Sequence, residues 1–431
     1  MNTDSLQIIR PTRRLLYDLN IPGDKSISHR ALMLGAAAKG ITTIRNLAPG
    51  RDVAATRTCL EAMGVTISGN PRHCTVHGAS LRAFKAPAQP LNTGNSGTTF
   101  RLLSGLLAGS SFPVTLTGDA SLCRRPMARI ARPLRRMGVE SRLDDGERAP
   151  MTLEPATPGA IDYTSPMASA QVKSCVLLAG LSAEGRITVT EPALSRDHTE
   201  RLLPAFGVPV TRKGLQVSIH GPANLTPADV HVPGDPSSAA FFAAAAVLTS
   251  DSQITLRHVG SNPTRTGFFE VLQRMGARLY WGESVEQCGE PRADLVAESS
   301  VLKPISLSAE EIPTLIDELP LLALLATQAN GTSILRHAAE LRHKECDRIA
   351  STARNLRAMG AAIEMHDDGW TVKGPTPLSG AAIETRGDHR MAMTFAVAGL
   401  IASGATVIRG ANCAAVSYPD FFKDLRNVAH V

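Results

Sequence analysis

Several features that mark other protein classes are missing from this sequence of 431 residues. The seven cysteines form no Cys-x-x-Cys pair, and their odd number argues against a disulfide framework or a zinc site. Aromatic residues make up only 4% of the chain, which argues against base stacking on nucleic acid. The net charge of +6 is spread along the chain without a Lys/Arg block, so we expect small anionic ligands and no nucleic-acid partner.

Segments that target or anchor proteins to membranes are also missing. The N-terminus has no apolar core of the kind found in signal peptides. The longest apolar run is about ten residues, well below the roughly 20 that span a bilayer. We therefore expect a cytoplasmic protein without a membrane partner, and the length of the chain favours two domains.

Two sequence phrases alternate along the chain. One is a helix that closes on a Met-Gly or Phe-Gly pair and is followed by a strand-like alternation, as at Met63-Gly64 and Met275-Gly276. The other is a polar turn, an Ala/Leu-rich helix, a Gly or Ser break and a β-branched strand, and it occurs six times. Together they predict an α/β fold built from six β-α-β-α-β-β repeats. The sequence leaves open whether the sheets or the helices lie outside.

A Pro-Gly-Asp turn precedes an apolar helix at residues 22–24 and again at residues 233–235. This recurrence predicts two lobes of three repeats each, with the chain crossing between them near both turns. We expect residues 1–22 and 244–431 to form a discontinuous lobe I, and residues 23–243 to form lobe II.

The unusual polar residues of each repeat fall at predicted helix starts. Lys25, Ser26 and Arg30 surround one such start, where free N–H groups and the helix dipole favour anions. Asp317 and Glu345 add carboxylates of the kind used in general acid/base work. For any one of these residues a solvated surface charge is the alternative. Their recurrence at equivalent places in the repeats favours a site that binds more than one anionic group.

These motifs resemble those of the enolpyruvyl transferase family, and the resemblance covers essentially the whole chain. The motifs that carry it are PGDKSISHR at 22–30, GNSGTTFR at 94–101, RRPM at 124–127, SAQVKS at 169–174, SRDHTE at 195–200, PGDPSSA at 233–239, LIDELP at 315–320, HKECDR at 343–348 and DHRMAM at 388–393. The resemblance implies two lobes, each an inside-out α/β barrel of three repeats, with the active site in the cleft between them. It also implies a monomer that needs no metal and no organic cofactor.

Within the family, the motifs look most like those of members that transfer the enolpyruvyl group of phosphoenolpyruvate to the 5-hydroxyl of shikimate 3-phosphate, in chorismate and aromatic amino acid biosynthesis. The residues implied to bind shikimate 3-phosphate are Lys25, Ser26, Arg30, Ser169, Ala170, Gln171, Arg196, Asp317 and Lys344. Those implied to bind phosphoenolpyruvate are Lys25, Asn95, Gly97, Arg125, Gln171, Arg348 and Arg390. Lys25, Asp317 and Glu345 are the implied catalytic residues. Glycine at position 97 further implies a glyphosate target.

Two other functions could use a similar set of motifs. A UDP-N-acetylglucosamine enolpyruvyl transferase has a loop cysteine five residues before an Arg-Pro pair, whereas Ala120 stands at that place before Arg125-Pro126 here. A non-catalytic anion-binding repeat protein would not need the acidic residues Asp317 and Glu345. Both alternatives therefore fit the sequence less well.

Overall fold

The computed structural model describes residues 5–429. The strands are β1 (Leu6–Ile9), β2 (Leu16–Asn20), β3 (Lys39–Arg45), β4 (Thr66–Asn70), β5 (His73–Ala79), β6 (Leu91–Asn92), β7 (Val114–Thr117), β8 (Ser141–Asp144), β9 (Arg148–Leu153), β10 (Gly159–Thr164), β11 (Glu184–Thr190), β12 (Thr211–Lys213), β13 (Gln216–Gly221), β14 (Asp229–His231), β15 (Gln253–Gly260), β16 (Arg278–Trp281), β17 (Val285–Gln287), β18 (Glu290–Glu298), β19 (Gly331–Leu335), β20 (Ala362–His366), β21 (Gly369–Gly374), β22 (Ala382–Glu384) and β23 (Thr406–Arg409).

The α-helices are α1 (Lys25–Ala37), α2 (Arg51–Ala62), α3 (Gly97–Leu106), α4 (Ala120–Cys123), α5 (Ala128–Arg136), α6 (Ala170–Gly180), α7 (His198–Leu202), α8 (Pro236–Leu248), α9 (Gly267–Arg274), α10 (Ile312–Leu315), α11 (Leu319–Ala326), α12 (Arg348–Ala358), α13 (His389–Ile401) and α14 (Phe421–Ala429). Short 3-10 segments occupy Leu81–Ala83, Leu203–Phe206, Ile316–Glu318, Ala339–His343 and Ala411–Val416. Within residues 5–429 no helix is both long enough and apolar enough to span a lipid bilayer.

The chain divides into two compact units. The first comprises the described residues up to Pro22, together with Pro233–Val285 and the chain from Pro291 onward. The second comprises Gly23–Val232 and the short segment Glu286–Glu290. This division differs from the expected one, which placed the second crossover between residues 243 and 244. Helix α8 runs unbroken through that position, so the boundary falls ahead of the helix.

The strands of residues 5–429 form six sheets. In the first unit the strand orders are β1-β23-β22, β16-β18-β15-β2 and β19-β21-β20. Strand β17 pairs with β18. In the second unit the strand orders are β14-β3-β5-β4, β6-β7-β9-β8 and β10-β11-β13-β12. Each unit therefore carries three mixed sheets, in which a parallel pair or bridge is combined with antiparallel pairing.

Strand pairing follows one rule within the repeats and another at the crossovers. In three repeats the first strand pairs in parallel with the strand that follows the next helix, as β6 does with β7, β10 with β11 and β22 with β23. At the two Pro-Gly-Asp turns these partners are exchanged, because β2 pairs in parallel with β15 and β14 pairs in parallel with β3. The exchange returns the chain to the first unit after three repeats and explains why that unit is discontinuous.

Both Pro-Gly-Asp turns depend on a close approach of two chain segments. A Cβ at Gly23 would lie 1.7 Å from the carbonyl oxygen of Asn46, and one at Gly234 would lie 2.9 Å from the Cβ of Ile21. Only glycine fits such a contact without moving the neighbouring chain. The following aspartate then begins a helix, since Asp24 accepts the N–H of Ile27 at 2.9 Å as the cap of α1.

The Ala/Leu-rich helices form the interior of each unit. Almost every residue of α1, α3 and α6 in the second unit is buried, and the same holds for α8, α11 and α13 in the first. Strands such as β3 and β9 alternate buried and more exposed residues instead. Each unit thus has a hydrophobic core of its own, and the starts of its buried helices are fixed by that core.

The contact between α3 and α6 gives a test of this packing. A Cβ at Gly105 would lie 2.2 Å from the carbonyl oxygen of Cys175, so Gly105→Ala must push the two helices apart. We expect the free energy of unfolding to fall by about 1–3 kcal/mol, the usual effect of overpacking. The matched control is Gly159→Ala, whose new Cβ would meet nothing closer than 3.8 Å. Urea unfolding followed by circular dichroism is the measurement, and equal midpoints for the two variants would contradict the close approach.

Candidate active site

The start of helix α1 carries an ammonium group whose charge is balanced locally. Lys25 is the first residue of α1, and its Nζ lies 3.0 Å from Oδ2 of Asp52 in the first turn of α2. The side chain of Lys25 is 20% exposed, so it keeps contact with solvent. The structure therefore places the first predicted site residue at a helix start, where an anion is favoured by free N–H groups and by the cation.

Arg30 lies one turn further along α1 and is buried. Its guanidinium donates to Thr199 Oγ1 at 2.7 Å, to Ser174 Oγ at 2.7 Å and to the carbonyl oxygen of Ser26 at 2.8 Å. Burial lowers the pKa of Arg30 to about 10, and the positive charge of Arg196 acts in the same direction. Arg30 nevertheless stays charged at neutral pH, and Arg196 contributes a second cation to the same region.

Asn95 links a carboxylate to a cation just ahead of helix α3. Its Nδ2 donates to both carboxylate oxygens of Asp119, at 3.1 and 2.8 Å. Its Oδ1 accepts a hydrogen bond from Nη2 of Arg125 at 2.5 Å. Asp119 also accepts the N–H groups of Ser121 and Leu122 at the start of α4, which fixes its carboxylate. The position of the Arg125 guanidinium therefore depends on an aspartate that lies on another loop.

Gly97, the first residue of α3, lies beneath two guanidinium groups. A Cβ at this position would be 2.7 Å from Nη1 of Arg101 and 3.4 Å from Nη1 of Arg125. Nη1 of Arg101 donates to Oε1 of Gln171 at 2.7 Å, and Nε2 of Gln171 donates to Thr98 Oγ1 at 3.1 Å. The missing side chain at Gly97 is thus what allows cations to gather over the helix start.

The start of helix α6 completes the group of predicted residues in the second unit. Ser169 is the cap of α6 and accepts the N–H of Val172 at 3.5 Å. Its own N–H donates to Oε1 of Glu191 at 3.1 Å. Ser169, Ala170 and Gln171 are all half-buried, so they keep a face open to solvent. The three starts of α1, α3 and α6 therefore each present polar groups that a ligand can reach.

In the first unit, Arg348 binds three carboxylates. Its Nη1 donates to Asp317 at 3.1 Å and its Nη2 to Glu345 at 2.7 Å. Its Nε donates to Oδ2 of Asp388 at 2.8 Å. Burial on its own lowers the pKa of Arg348, but the charges of the three carboxylates raise it well above the usual value. The guanidinium is thus a permanent positive centre around which both predicted acid/base residues are arranged.

Asp317 lies close to two further cations. Nη2 of Arg390 is 3.7 Å from its Oδ2, and Nζ of Lys344 is 3.9 Å from its Oδ1. Arg390 is held in place by Glu318, whose Oε1 accepts from Nη1 at 3.0 Å. Lys344 also lies 3.9 Å from Glu340. The side chains of Asp317 and Glu345 are each 17% exposed, so both carboxylates remain within reach of a ligand.

The predicted site residues thus form two groups, one in each unit. In the second unit these are Lys25, Ser26, Arg30, Asn95, Gly97, Arg125, Ser169, Ala170, Gln171 and Arg196, and in the first unit Asp317, Lys344, Glu345, Arg348 and Arg390. Among residues 5–429, no group of three or more His, Cys, Asp or Glu side chains could hold a metal ion.

Several charged residues that contact or adjoin these groups were not singled out from the sequence, among them Glu191, which accepts the N–H of Ser169. Arg101 bonds to Gln171, which is 70 positions away, and Asp119 bonds to Asn95, which is 24 positions away. Lys173 lies inside the SAQVKS motif but pairs with glutamates beyond it. Spacing along the chain does not reveal such long-range partners. The sequence offers one indication that these residues matter, because Arg101 and Lys173 lie within the motifs at 94–101 and 169–174.

Comparison with known proteins decides the family. A profile of the family described as EPSP synthase (3-phosphoshikimate 1-carboxyvinyltransferase) matches residues 9–425. The chain belongs to this family. A 3-phosphoshikimate 1-carboxyvinyltransferase of Bacillus cereus is 48% identical over 414 residues, which is 96% of each chain. A protein with the same description from Shouchella clausii is 48% identical over 409 residues, or 95% of each chain.

Solved structures agree with this membership. An EPSP synthase from Acinetobacter baumannii matches with a TM-score of 0.88 and 43% identity, over 98% of each chain. The enolpyruvyl transferase NikO from Streptomyces tendae shares the fold, with a TM-score of 0.79 and 24% identity. The match covers 98% of this chain and 97% of the NikO chain. The predicted α/β class and the resemblance to enolpyruvyl transferases are therefore confirmed.

The three carboxylates that surround Arg348 give a test of this arrangement. Arg348→Met leaves Asp317, Glu345 and Asp388 without their shared cation. Removing one partner of a buried ion pair costs about 3–5 kcal/mol, and we expect the free energy of unfolding to fall by that amount. The control is Arg409→Met, which breaks an exposed pair with Glu384 and should cost less than about 1 kcal/mol. Chemical denaturation of both variants is the measurement, and a loss at Arg348 no larger than at Arg409 would contradict the arrangement.

Proposed function

We propose that this chain transfers the enolpyruvyl group of phosphoenolpyruvate to the 5-hydroxyl of shikimate 3-phosphate and releases phosphate. The single observation that carries the proposal is the 48% identity to 3-phosphoshikimate 1-carboxyvinyltransferases over 96% of the chain. The distribution of charge supports it. Both substrates are anions with phosphate and carboxylate groups, and the predicted residues supply cations at several helix starts.

The second unit is proposed to bind the anionic groups of the substrates. Shikimate 3-phosphate is assigned to Lys25, Ser26, Arg30, Ser169, Ala170, Gln171 and Arg196, and phosphoenolpyruvate to Lys25, Asn95, Gly97, Arg125 and Gln171. Three features support this assignment. The α6 residues are half-buried, the Lys25 side chain keeps partial contact with solvent, and Gly97 leaves room beside the Arg125 guanidinium.

The first unit is proposed to supply the proton transfers, with Arg348 and Arg390 assisting phosphoenolpyruvate and Lys344 the shikimate hydroxyl. In the addition step Asp317 accepts the proton of the 5-hydroxyl. The oxygen of that hydroxyl then bonds to C2 of phosphoenolpyruvate, and C3 receives a proton. In the elimination step the new methyl group at C3 loses a proton while the bond from C2 to phosphate breaks. Glu345 together with Lys25 is assigned to the proton at C3. What supports these roles is that both carboxylates are partly exposed and held by a permanent cation.

In this proposal the Arg348 guanidinium contacts both carboxylates of the protein and the anionic substrate. Its guanidinium already contacts Asp317 and Glu345. A phosphoenolpyruvate anion that approaches Arg348 therefore competes with these carboxylates, and frees them to exchange protons with the reacting atoms. Tight binding and activation of the carboxylates would then be coupled through one side chain.

We further propose that each unit is an inside-out α/β barrel made of three repeats, and that the protein acts as a cytoplasmic monomer without a metal or organic cofactor. The barrel is supported by the three sheets of each unit and by the burial of its Ala/Leu-rich helices on all sides. Six repeats account for all the sheets found in residues 5–429.

A phosphate-release assay tests the proposed reaction. Phosphate should appear only when phosphoenolpyruvate and shikimate 3-phosphate are both present, and EDTA should leave the rate unchanged. Asp317→Asn and Glu345→Gln should each lower kcat by roughly 100-fold or more, the usual contribution of a general acid or base. Affinity for shikimate 3-phosphate should change much less.

The control for these carboxylate variants is Asp367→Asn, which changes a fully exposed aspartate of the same unit. It should keep the wild-type kcat. Release of phosphate with UDP-N-acetylglucosamine in place of shikimate 3-phosphate would favour the alternative transferase. Normal turnover in Asp317→Asn or Glu345→Gln would contradict the assigned roles while leaving the overall reaction in place.

Inhibition by glyphosate tests the environment of Gly97. In Gly97→Ala the new methyl group displaces Arg101, whose Nη1 would lie 2.7 Å from it. Glyphosate is longer than phosphoenolpyruvate and should be crowded first. We expect the inhibition constant to rise roughly 10-fold or more, equivalent to 1.4 kcal/mol, with a smaller rise in KM for phosphoenolpyruvate. Gly159→Ala is the control, and equal inhibition of Gly97→Ala and wild type would show that Gly97 does not line the phosphoenolpyruvate site.

A further inference from the structure

A cluster of buried charges lies behind the start of helix α6 in the second unit. Nζ of Lys173 is 2.6 Å from Oε2 of Glu191 and 2.8 Å from Oε1 of Glu200. The side chains of Lys173 and Glu191 are each 2% exposed, and that of Glu200 is 1% exposed. Lys173 belongs to α6, Glu191 follows β11 and Glu200 belongs to α7. The cluster therefore joins three separate segments of the chain.

Stability alone does not account for such a cluster. Burying an ion costs several kcal/mol, and replacing a buried ion pair by apolar residues of similar size is often neutral or stabilising. The neighbours of Lys173 on α6, such as Val172 and Val176, are ordinary core residues. A hydrophobic side chain at position 173 would thus serve the core at least as well. An ion cluster instead fixes the orientation of each of its side chains, because charge-assisted hydrogen bonds are strong and directional.

Glu191 uses its two oxygens for different partners. Oε2 contacts Lys173, whereas Oε1 accepts the hydroxyl of Ser195 at 2.6 Å and the backbone N–H of Ser169 at 3.1 Å. Lys173 adds a second contact to the same loop, because its Nζ is 3.4 Å from the carbonyl oxygen of Ser195. One carboxylate therefore fixes the cap of α6 and the loop ahead of α7 relative to each other.

Both fixed points adjoin residues assigned to shikimate 3-phosphate. Ser169 is itself assigned and precedes Gln171, and Ser195 directly precedes Arg196. Helix α7 also carries Thr199, whose Oγ1 accepts a hydrogen bond from Nε of Arg30 at 2.7 Å. None of these assignments includes Lys173 or Glu191, which are too deeply buried to reach a ligand themselves.

We propose that Lys173 and Glu191 are positioning residues for shikimate 3-phosphate, holding Ser169 and Arg196 at the separation that one phosphate-bearing ligand requires. This inference rests on the proposed function. Small displacements of binding groups are costly because a ligand is held by several of them at once. Loosening the cluster therefore weakens the binding of this substrate and leaves the phosphoenolpyruvate groups at α3 in place.

The test uses Glu191→Gln in the full-length protein. Glutamine has nearly the same shape, but one end of its amide is a donor. It cannot accept from Ser195 and Ser169 at one end and from the Lys173 ammonium at the other. We expect KM for shikimate 3-phosphate to rise about tenfold, a change equivalent to 1.4 kcal/mol. KM for phosphoenolpyruvate and kcat should stay within about twofold of wild type, because Gln171 keeps its hydrogen bonds to Arg101 and Thr98 of α3.

Two further variants keep the result interpretable. Glu154→Gln removes a glutamate paired with Arg142 elsewhere in the second unit and should leave both KM values unchanged. Lys173→Arg keeps the positive charge beside Glu191 and should raise KM for shikimate 3-phosphate less than Glu191→Gln does. If Glu191→Gln does not fold, Lys173→Arg takes its place, and an increase confined to shikimate 3-phosphate remains the expected result.

Calorimetric titration with shikimate 3-phosphate alone separates the two levels of the proposal. Absence of binding to the wild-type protein would overturn the proposed function. Normal wild-type binding, with equal affinity in Glu191→Gln, would overturn the positioning role only. An equal rise in both KM values would also overturn it, because that is the outcome of a general loss of structure. Weakened binding of shikimate 3-phosphate with unchanged KM for phosphoenolpyruvate supports it.

Discussion

The structure depends on charge balance at the starts of buried helices. Several of these helices begin with or beside charged residues, and those charges must be paired because an isolated ion in the interior is costly. Arg348 meets this requirement with Asp317, Glu345 and Asp388. The consequence is that the carboxylates proposed for proton transfer and the cations proposed for binding anions stabilise one another in the folded protein. The site is therefore organised by the same interactions that allow its charges to be buried.

The second unit meets the same requirement with different side chains. Lys25 is paired with Asp52, and Arg125 is aligned through Asn95 by Asp119. The resulting helix starts keep polar groups open to solvent while their partners lie beneath them. This arrangement suits a site that must hold two anionic substrates, because the cations are placed before either substrate arrives. In the proposed reaction, Asp317 and Glu345 of the first unit and Lys25 of the second are assigned to proton transfer, and most of the groups assigned to substrate binding belong to the second unit.

Local features of the fold were accessible from the sequence, and long-range pairings were not. The helix starts at Lys25, Gly97 and Ala170 follow from capping residues and apolar runs, so the motifs indicated where these candidate residues lie on the fold. The second crossover was placed about ten residues late, because the exchange of β2 and β14 between sheets depends on partners more than 180 positions away. The link from Glu191 to Ser169 joins segments that no repeat pattern relates. Both contacts form only when distant segments pack together in the folded protein, so they cannot be read from local sequence patterns.

The most direct measurement is a crystal structure of the protein with shikimate 3-phosphate bound. We predict that the phosphate is hydrogen-bonded to Ser169 and Arg196, and that the ligand's ring hydroxyls reach polar groups at the starts of α1 and α6. We also predict that Glu191 still contacts Lys173 in that complex, because the cluster is part of the binding site's framework. A phosphate bound away from these helix starts, with Ser169 and Arg196 left unused, would contradict the central claim that paired charges at buried helix starts form the substrate site.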